Sequence, residues 1–531
     1  MRTDLLGGAG IALNQLRYAT HVSSQNINNA DNPYYSRSIV VFGNDASGFL
    51  TANAERMNNM FLTSQVHSST SNTLYSDRYL SFASSVDKII TGITPTEDGN
   101  SVNPILGGID DITEAMNALA TSDSTSGRSS FLSRINSLIA NSNTMQESLG
   151  EFKKQVNDEV ASNALVLNKQ AEQLAELNKK LITSPDDPSL LTQRDTILGK
   201  MSELVAIDVT EKSNGTVSVT INGGYSIVDG LRHSEITAET GEYGDDLFLA
   251  VNGDVMTDPE KVGGTLGGNL AAREELINDA ERGLSKTLLG FFASINEVNL
   301  GGFKKDGSAG TELVSIPSVG ALASSSNTGT GNFEVSLDQA KVGELTEGPI
   351  EIEKTASGYI VTDTSTGDSI TTSTAPIEAF GYKFEAVGTM VAGDKFVADP
   401  LGQMLQGAEV TGSIDDIAAA GKLPVTSGDN SNLQKFSELS DAKIFNDGKD
   451  TIYNQISNVF VGIGNNHVAA EQDFTTNLAI NDTAVMRWNN LSGVNTQEEE
   501  LNMMKFQQIY QSVSKVIEAD NKMFESIIGV I

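Results

Sequence analysis

Four histidines, 69 acidic residues and several glycine-rich runs are the groups of this 531-residue chain that could do chemistry. His21, His67, His233 and His467 lie far apart, with no i,i+4 pair and no His-Glu-x-x-His run, so a zinc centre has no nucleus. His21 falls on the polar face of a helical pattern. Gly7-Gly8-Ala9-Gly10 lacks the preceding strand, the third glycine and the Lys-Ser/Thr of a phosphate loop, and Gly462-Ile463-Gly464 lacks the same context. Close helix packing or terminal flexibility accounts for the first run. Asn446-Asp447-Gly448-Lys449-Asp450 and Asp306-Gly307 contain pieces of a calcium-loop pattern without its acidic first position or its final Glu, and they read as turns. Chance carboxylate pairs would occur in any fold of this composition, and nothing singles out a pair for glycoside hydrolysis. Solvated acidic faces are the simpler reading. The expectation is therefore no catalytic residue, no cofactor-binding residue and no metal ligand.

Composition narrows the partners. Lys and Arg total 35 against 69 Asp and Glu, for a formal charge of −34, which argues against a nucleic-acid partner. The chain has no cysteine, so disulfides, thiolate zinc sites and Cys nucleophiles are excluded, while cytosolic and extracellular homes both stay open. There is no apolar run long enough to span a membrane as a helix. The N-terminus shows no extended apolar core or signal-peptidase site, so export would not use a cleaved signal.

The strongest positioning element is the last one. Met503, Phe506, Tyr510, Val513, Ile517, Asp520, Phe524, Ile527 and Ile531 recur by alternating steps of three and four. Ile509, Val516, Met523 and Val530 form a second row at heptad spacing beside the first. The pattern predicts a helix of about 50 Å. Asn495 or Thr496 would cap it, Glu498 or Glu499 would close a capping box, and the acidic run would sit on the positive end of the dipole. At the other end Leu5, Ala9, Ala12, Leu16 and Ala19 make a thinner stripe, flanked by Leu6, Leu13 and Ile27. Alone that helix would be marginal, but its small residues admit a close partner, and the C-terminal stripe is the obvious candidate. Asn26 to Asn32 and Pro33 end it, and Ser38 to Phe42 reads as a strand.

The N-terminal helix, its Asn cluster, an aromatic and Ser36-Arg37 resemble the signature of the bacterial flagellar axial proteins (rod, hook and hook-associated). Ser492-Gly493-Val494-Asn495, Glu498-Glu499, Phe506-Gln507-Gln508 and Tyr510-Gln511 resemble the C-terminal signature of that family. Where the family usually has Pro-Gly-Tyr, this chain has Pro33-Tyr34-Tyr35, so a turn needing φ > 0 at position 34 would be strained.

Between the termini the patterns alternate. Long helices are expected over 56–204, one marked by Phe61, Val66, Leu74, Leu80, Phe82 and Val86 and one from Phe131 to Ile182. Val217, Val219 and Ile221 alternate as a strand before the turn at Asn222-Gly223-Gly224. A continuous helix is expected from Gly264 to Asn296, strands over 313–429, and a helix from near Asp441 to Trp488. The Leu191–Leu198 and Gly264–Asn296 blocks resemble the hook–filament junction branch of the family. The expected class is α+β multidomain: terminal helices forming a coiled-coil-like base, a discontinuous long-helix domain and two inserted β-rich domains. The expected divisions are an N-terminal helix and turn over 1–55, a helical domain over 56–205, 264–312 and 430–494, β insertions at 206–263 and 313–429, and a C-terminal assembly helix over 495–531.

The resemblance implies a structural subunit rather than an enzyme, polymerising at the hook–filament junction of the flagellum outside the cell. Its implied partners are further copies of itself in a ring or helical assembly, the hook protein, and a flagellin-like second junction protein on the filament side. It also implies an export chaperone that covers the C-terminal helix before type III export, with no nucleic acid and no membrane as partner. The assembly surface would be Leu5, Leu6, Leu13, Leu16 and Ile27 with Met503, Phe506, Tyr510, Val513, Ile517, Phe524 and Ile527. Asn26, Asn29 and Arg37 would fix the turn after the first helix. The alternatives are another axial subunit such as the hook protein, or a secreted acidic adhesin acting through its β domains.

Overall fold

The computed structural model describes residues 2–44, 46, 48–92, 94–95, 101–222 and 224–529. Helix α1 (Arg2–Asn28) leads through a turn to a hairpin, strand β1 (Ser38–Asn44) paired antiparallel with strand β2 (Leu50–Arg56). Helix α2 (Met60–Ile90) starts where the Asn59 side chain accepts hydrogen bonds from the backbone N–H groups of Phe61 and Leu62. Helices α3 (Pro104–Thr121), α4 (Thr125–Thr183) and α5 (Pro188–Leu204) follow. Each has a side-chain cap (Asn103, Ser124 or Asp187), and α3 and α5 carry proline in the first turn, where its missing N–H costs nothing.

The next stretch carries a four-stranded sheet over residues 207–233 and a three-stranded sheet over 236–256. The alternating Val217, Val219 and Ile221 are all buried, as a half-buried strand requires. After α6 (Pro259–Val262) the helix expected from Gly264 to Asn296 follows with no break in helical backbone, as α7 (Gly264–Ala272) and α8 (Asp279–Leu300). A π-helical stretch, Arg273–Asn278, separates them. Its buried Arg273 donates to Asn157 Oδ1 at 2.9 Å and Leu247 O at 3.0 Å, with its guanidinium over the Phe248 ring. Helix α8 is buried almost throughout, and its buried residues include Arg282, Lys286, Asn296 and Asn299 beside the apolar Leu284, Leu288, Phe291, Phe292 and Ile295.

A second β region packs a five-stranded against a four-stranded sheet through the edge-to-face rings of Phe333 and Phe396, 5.3 Å apart. Short helices α9 (Leu401–Gln406) and α10 (Ser431–Glu438) lie after it. Helix α11 (Ile452–Ser492) begins later than expected, because Asn446, Asp447 and Gly448 take positive φ and break the backbone. Helix α12 (Thr496–Ile528) completes the chain.

Helices α2 and α11 meet through polar side chains as well as apolar ones. The two run antiparallel, with Thr73 Oγ1 donating to Asn477 O at 3.0 Å and Ser69 Oγ to Asn481 Oδ1 at 2.9 Å. Ser69, Ser71, Thr73 and Ser76 are buried, whereas Phe61, expected as a core marker, is 69 % exposed in the first turn of α2. No described helix is long and apolar enough to cross a membrane.

Candidate assembly interface

Helices α1 and α12 pack side by side and antiparallel, since the start of α12 meets the turn that follows α1. The Arg37 N–H donates to Ser492 O at 2.8 Å, and the Arg37 guanidinium reaches Glu499 Oε1 at 2.7 Å and Glu498 Oε1 at 2.9 Å. The Asn495 side chain caps α12, accepting from the N–H groups of Gln497 and Glu498. The expected capping box is replaced, because both glutamates turn to Arg37, the stronger charge-assisted donor.

Asn26 is fully buried at the end of α1. Its Oδ1 accepts from Ser38 N at 3.0 Å and from Tyr35 Oη at 2.7 Å, and its Nδ2 donates to Ser38 O at 2.8 Å. One amide thus clamps both ends of the turn. Asn29 instead donates back to Gln25 O in its own helix, at 2.8 Å. Tyr34 is not among the positive-φ residues, so the turn holds a tyrosine without the strain expected there. Asn32 Oδ1 accepts from Tyr34 N at 3.1 Å, an Asx turn that fixes the loop.

The apolar residues divide into a covered and an uncovered set. Leu16, Ala19 and Val22 of α1 are buried, and Leu13 and Ile27 are half-buried. On α12 Met503, Phe506, Tyr510, Val513 and Ile517 are half-buried, and Phe506 meets Phe42 of β1 edge-to-face at 5.9 Å. Phe524 is exposed at 38 %. The side chains of Leu5, Leu6 and Ile527 lie outside the described residues. Of the second row Val516 is 59 % exposed, Met523 60 % and Ile509 41 %, while Val530 lies outside the described residues; Leu501 and Met504 of the same helix are also exposed. A groove of about 600 Å³ lies between the helices, bordered by Arg17, His21, Met503 and Tyr510. Gly8 faces the Phe49 ring, which explains one glycine of the N-terminal run by close packing.

The histidines stay apart. His67 is buried, His21 and His233 are exposed, and His467 Nδ1 stands 3.1 Å from Asp87 Oδ2. Among the described residues no three His, Asp or Glu converge as metal ligands. Asn446 Nδ2 donates to Asp450 Oδ2 at 2.6 Å and Ser308 N to Asp306 Oδ1 at 2.9 Å, closing both candidate calcium loops as turns. Sequence reasoning missed Glu498 and Glu499 as partners of Arg37, and the Tyr35–Asn26 bond. A signal was present for the first, since Arg37 is the sole cation between Arg17 and Arg56.

Comparison with known proteins agrees with this arrangement. Residues 98–314 match the model of the flagellar hook-associated protein FlgK helical domain, and residues 489–530 match the flagellar basal body rod FlgEFG protein C-terminal model. Flagellar hook-associated protein 1 of Escherichia coli is 23 % identical over 99 % of this chain and 100 % of its own length. That of Salmonella typhimurium is 24 % identical, with the same coverage. The structure of the flagellar hook junction protein FlgK from Burkholderia pseudomallei is similar in fold, with a TM-score of 0.72 at 18 % identity, over 81 % of this chain and 100 % of that one. Along its whole length the chain is thus similar to the flagellar hook-associated protein 1 family, with both family models in their places and a common fold.

Proposed function

We propose that the chain is a structural subunit that polymerises at the hook–filament junction, joining hook to filament through α1 and α12. The observation that carries this is the uncovered row of α12. Leu501, Ile509, Val516 and Met523 are exposed on a helix whose other apolar row is half-buried from Met503 to Ile517, with Phe506 against Phe42 of β1. An acidic chain with a charge of −34 gains solubility from its surface, so an apolar row left open on a terminal helix marks an interface. The hook protein on one side and a flagellin-like junction protein on the other are the expected neighbours, with further copies of this chain around the ring. An export chaperone would shield Phe506, Tyr510, Val513, Ile517 and Phe524 until assembly, which fits an extracellular protein. The match of residues 98–314 to a hook-associated helical domain favours the junction over the hook itself.

The test is electron microscopy of deletion cells with flagellin assayed in the medium. Finished hooks without filaments and shed flagellin are expected. Missing hooks would move the subunit inward, and normal filaments would overturn the reading.

A further inference from the structure

The terminal unit, α1 with the β1/β2 hairpin and α12, joins the helical body by two chain crossings, at residues 57–59 and 493–495. Both crossings lie beside Arg37, whose N–H bonds to Ser492 O and whose carbonyl accepts from Met57 N, each at 2.8 Å. Two adjacent connections act as one hinge and leave a swing about it. A third contact away from that hinge is what would remove the swing.

One face of α5 supplies it. Asp195, Thr196, Gly199 and Glu203 follow helical spacing, and each meets a residue of the terminal unit or its edge. Arg56 Nη2 lies 2.7 Å from Asp195 Oδ2, and Asn32 Nδ2 donates to Thr196 Oγ1 at 3.4 Å. The Tyr34 ring rests on Gly199, where a methyl group would overlap it, and the Tyr34 hydroxyl donates to the Glu203 carboxylate. Burial, then the bond to Glu203, raises the phenol pKa well above its ordinary value, so the donor keeps its proton in the physiological range. The far end of α5 is tied to α7, with Thr265 Oγ1 donating to Glu203 O at 3.0 Å. Beside this contact the two bodies separate around a polar cleft of about 600 Å³, bordered by Gln25, Asn29, Gln173 and Gln193.

We propose that Tyr34 is a positioning residue: seated on Gly199 and bonded to Glu203, it fixes the angle at which the α1/α12 pair leaves the helical body. A ring seated on a glycine is specific in shape, because any side chain at 199 evicts it. In a polymer every copy must present its terminal helices at one angle, and this consequence rests on the assembly reading; the angle itself does not.

Because the chain lacks cysteine, spin labels can be placed at will, at Lys169→Cys on α4 and Lys515→Cys on α12, both exposed. The second site lies roughly 30 Å along α12 from the hinge, a long lever. The label distance in the full-length monomer is expected to be one narrow peak. Tyr34→Gly and Gly199→Ala should each broaden it, Tyr34→Phe should stay close to the parent, and Tyr34→Gly with Gly199→Ala should be no broader than Tyr34→Gly alone. Circular dichroism melting confirms that the body is folded, with Tyr34→Ala as a substitute if glycine unravels the loop. A parent distribution that is already broad would overturn the proposal. So would a Tyr34→Gly peak as narrow as the parent's, an unchanged Gly199→Ala peak, or a Tyr34→Phe peak as broad as Tyr34→Gly. The deletion phenotype tests the junction role separately, so either claim can fail alone.

Discussion

Arg37 Nε and Glu499 Oε1 stand 2.7 Å apart although 462 positions separate them in the chain. Glu499 is only 3 % exposed and Arg37 17 %, so this is a desolvated pair, whereas Glu498 at 54 % keeps its water. The pair closes the two chain ends into one unit, and the account of assembly depends on that unit being intact.

Removing the guanidinium strands a buried carboxylate. Arg37→Ala should cost the terminal unit about 3 kcal/mol, read as faster hydrogen exchange at the first turns of α12. Glu498→Gln should cost no more than about 0.5 kcal/mol. Equal effects would show that Glu499 is not the principal partner.

Asn26 makes three hydrogen bonds across the turn with no exposed surface. Asn26→Ala leaves the Tyr35 hydroxyl and both backbone groups of Ser38 without that partner, at a cost of about 3 kcal/mol. Limited proteolysis should then cut within residues 29–37. A variant as resistant as the parent would remove Asn26 from the clamp.

His67 supplies a pH dependence. Burial lowers its pKa to about 4, against the partial compensation of the nearby Asp195 carboxylate, itself paired with Arg56 and Arg194. Because the folded pKa lies below the unfolded value of about 6.5, its contribution is complete above pH 6.5 and is lost as pH falls towards 4. The loss should reach about 2 kcal/mol by pH 5. Thermal melts of the parent and of His67→Gln between pH 7 and pH 5 check it: the parent should lose more stability, and parallel slopes would contradict the assignment.

The legible parts were those governed by apolar periodicity. The α12 stripe, Leu16 and Ala19 of α1, and the Val217–Ile221 alternation all follow from burying one face. What stayed hidden depends on partners distant in sequence. Ser69, Thr73 and Ser76 carry no signal in the apolar pattern of their helix, yet α11 brings Asn477 and Asn481 to bond with them. Phe61 read as core but sits in the first turn of its helix, before the packing begins. Glu498 and Glu499 fitted a local capping box until Arg37 arrived from the other end of the chain. The π-helical stretch at Arg273–Asn278 accompanies a buried arginine whose partners, Asn157 and Leu247, no local pattern reveals.

The central claim is that the uncovered row of α12 is an intermolecular surface, and one variant separates it from the fold. Val516→Asp with Met523→Asp charges that row while leaving the half-buried Val513 and Ile517 in place. The purified variant should melt within about 0.5 kcal/mol of the parent, as surface changes do. Introduced into deletion cells, it should leave finished hooks bare and flagellin in the medium. Normal filaments from cells carrying the folded double variant would contradict the account.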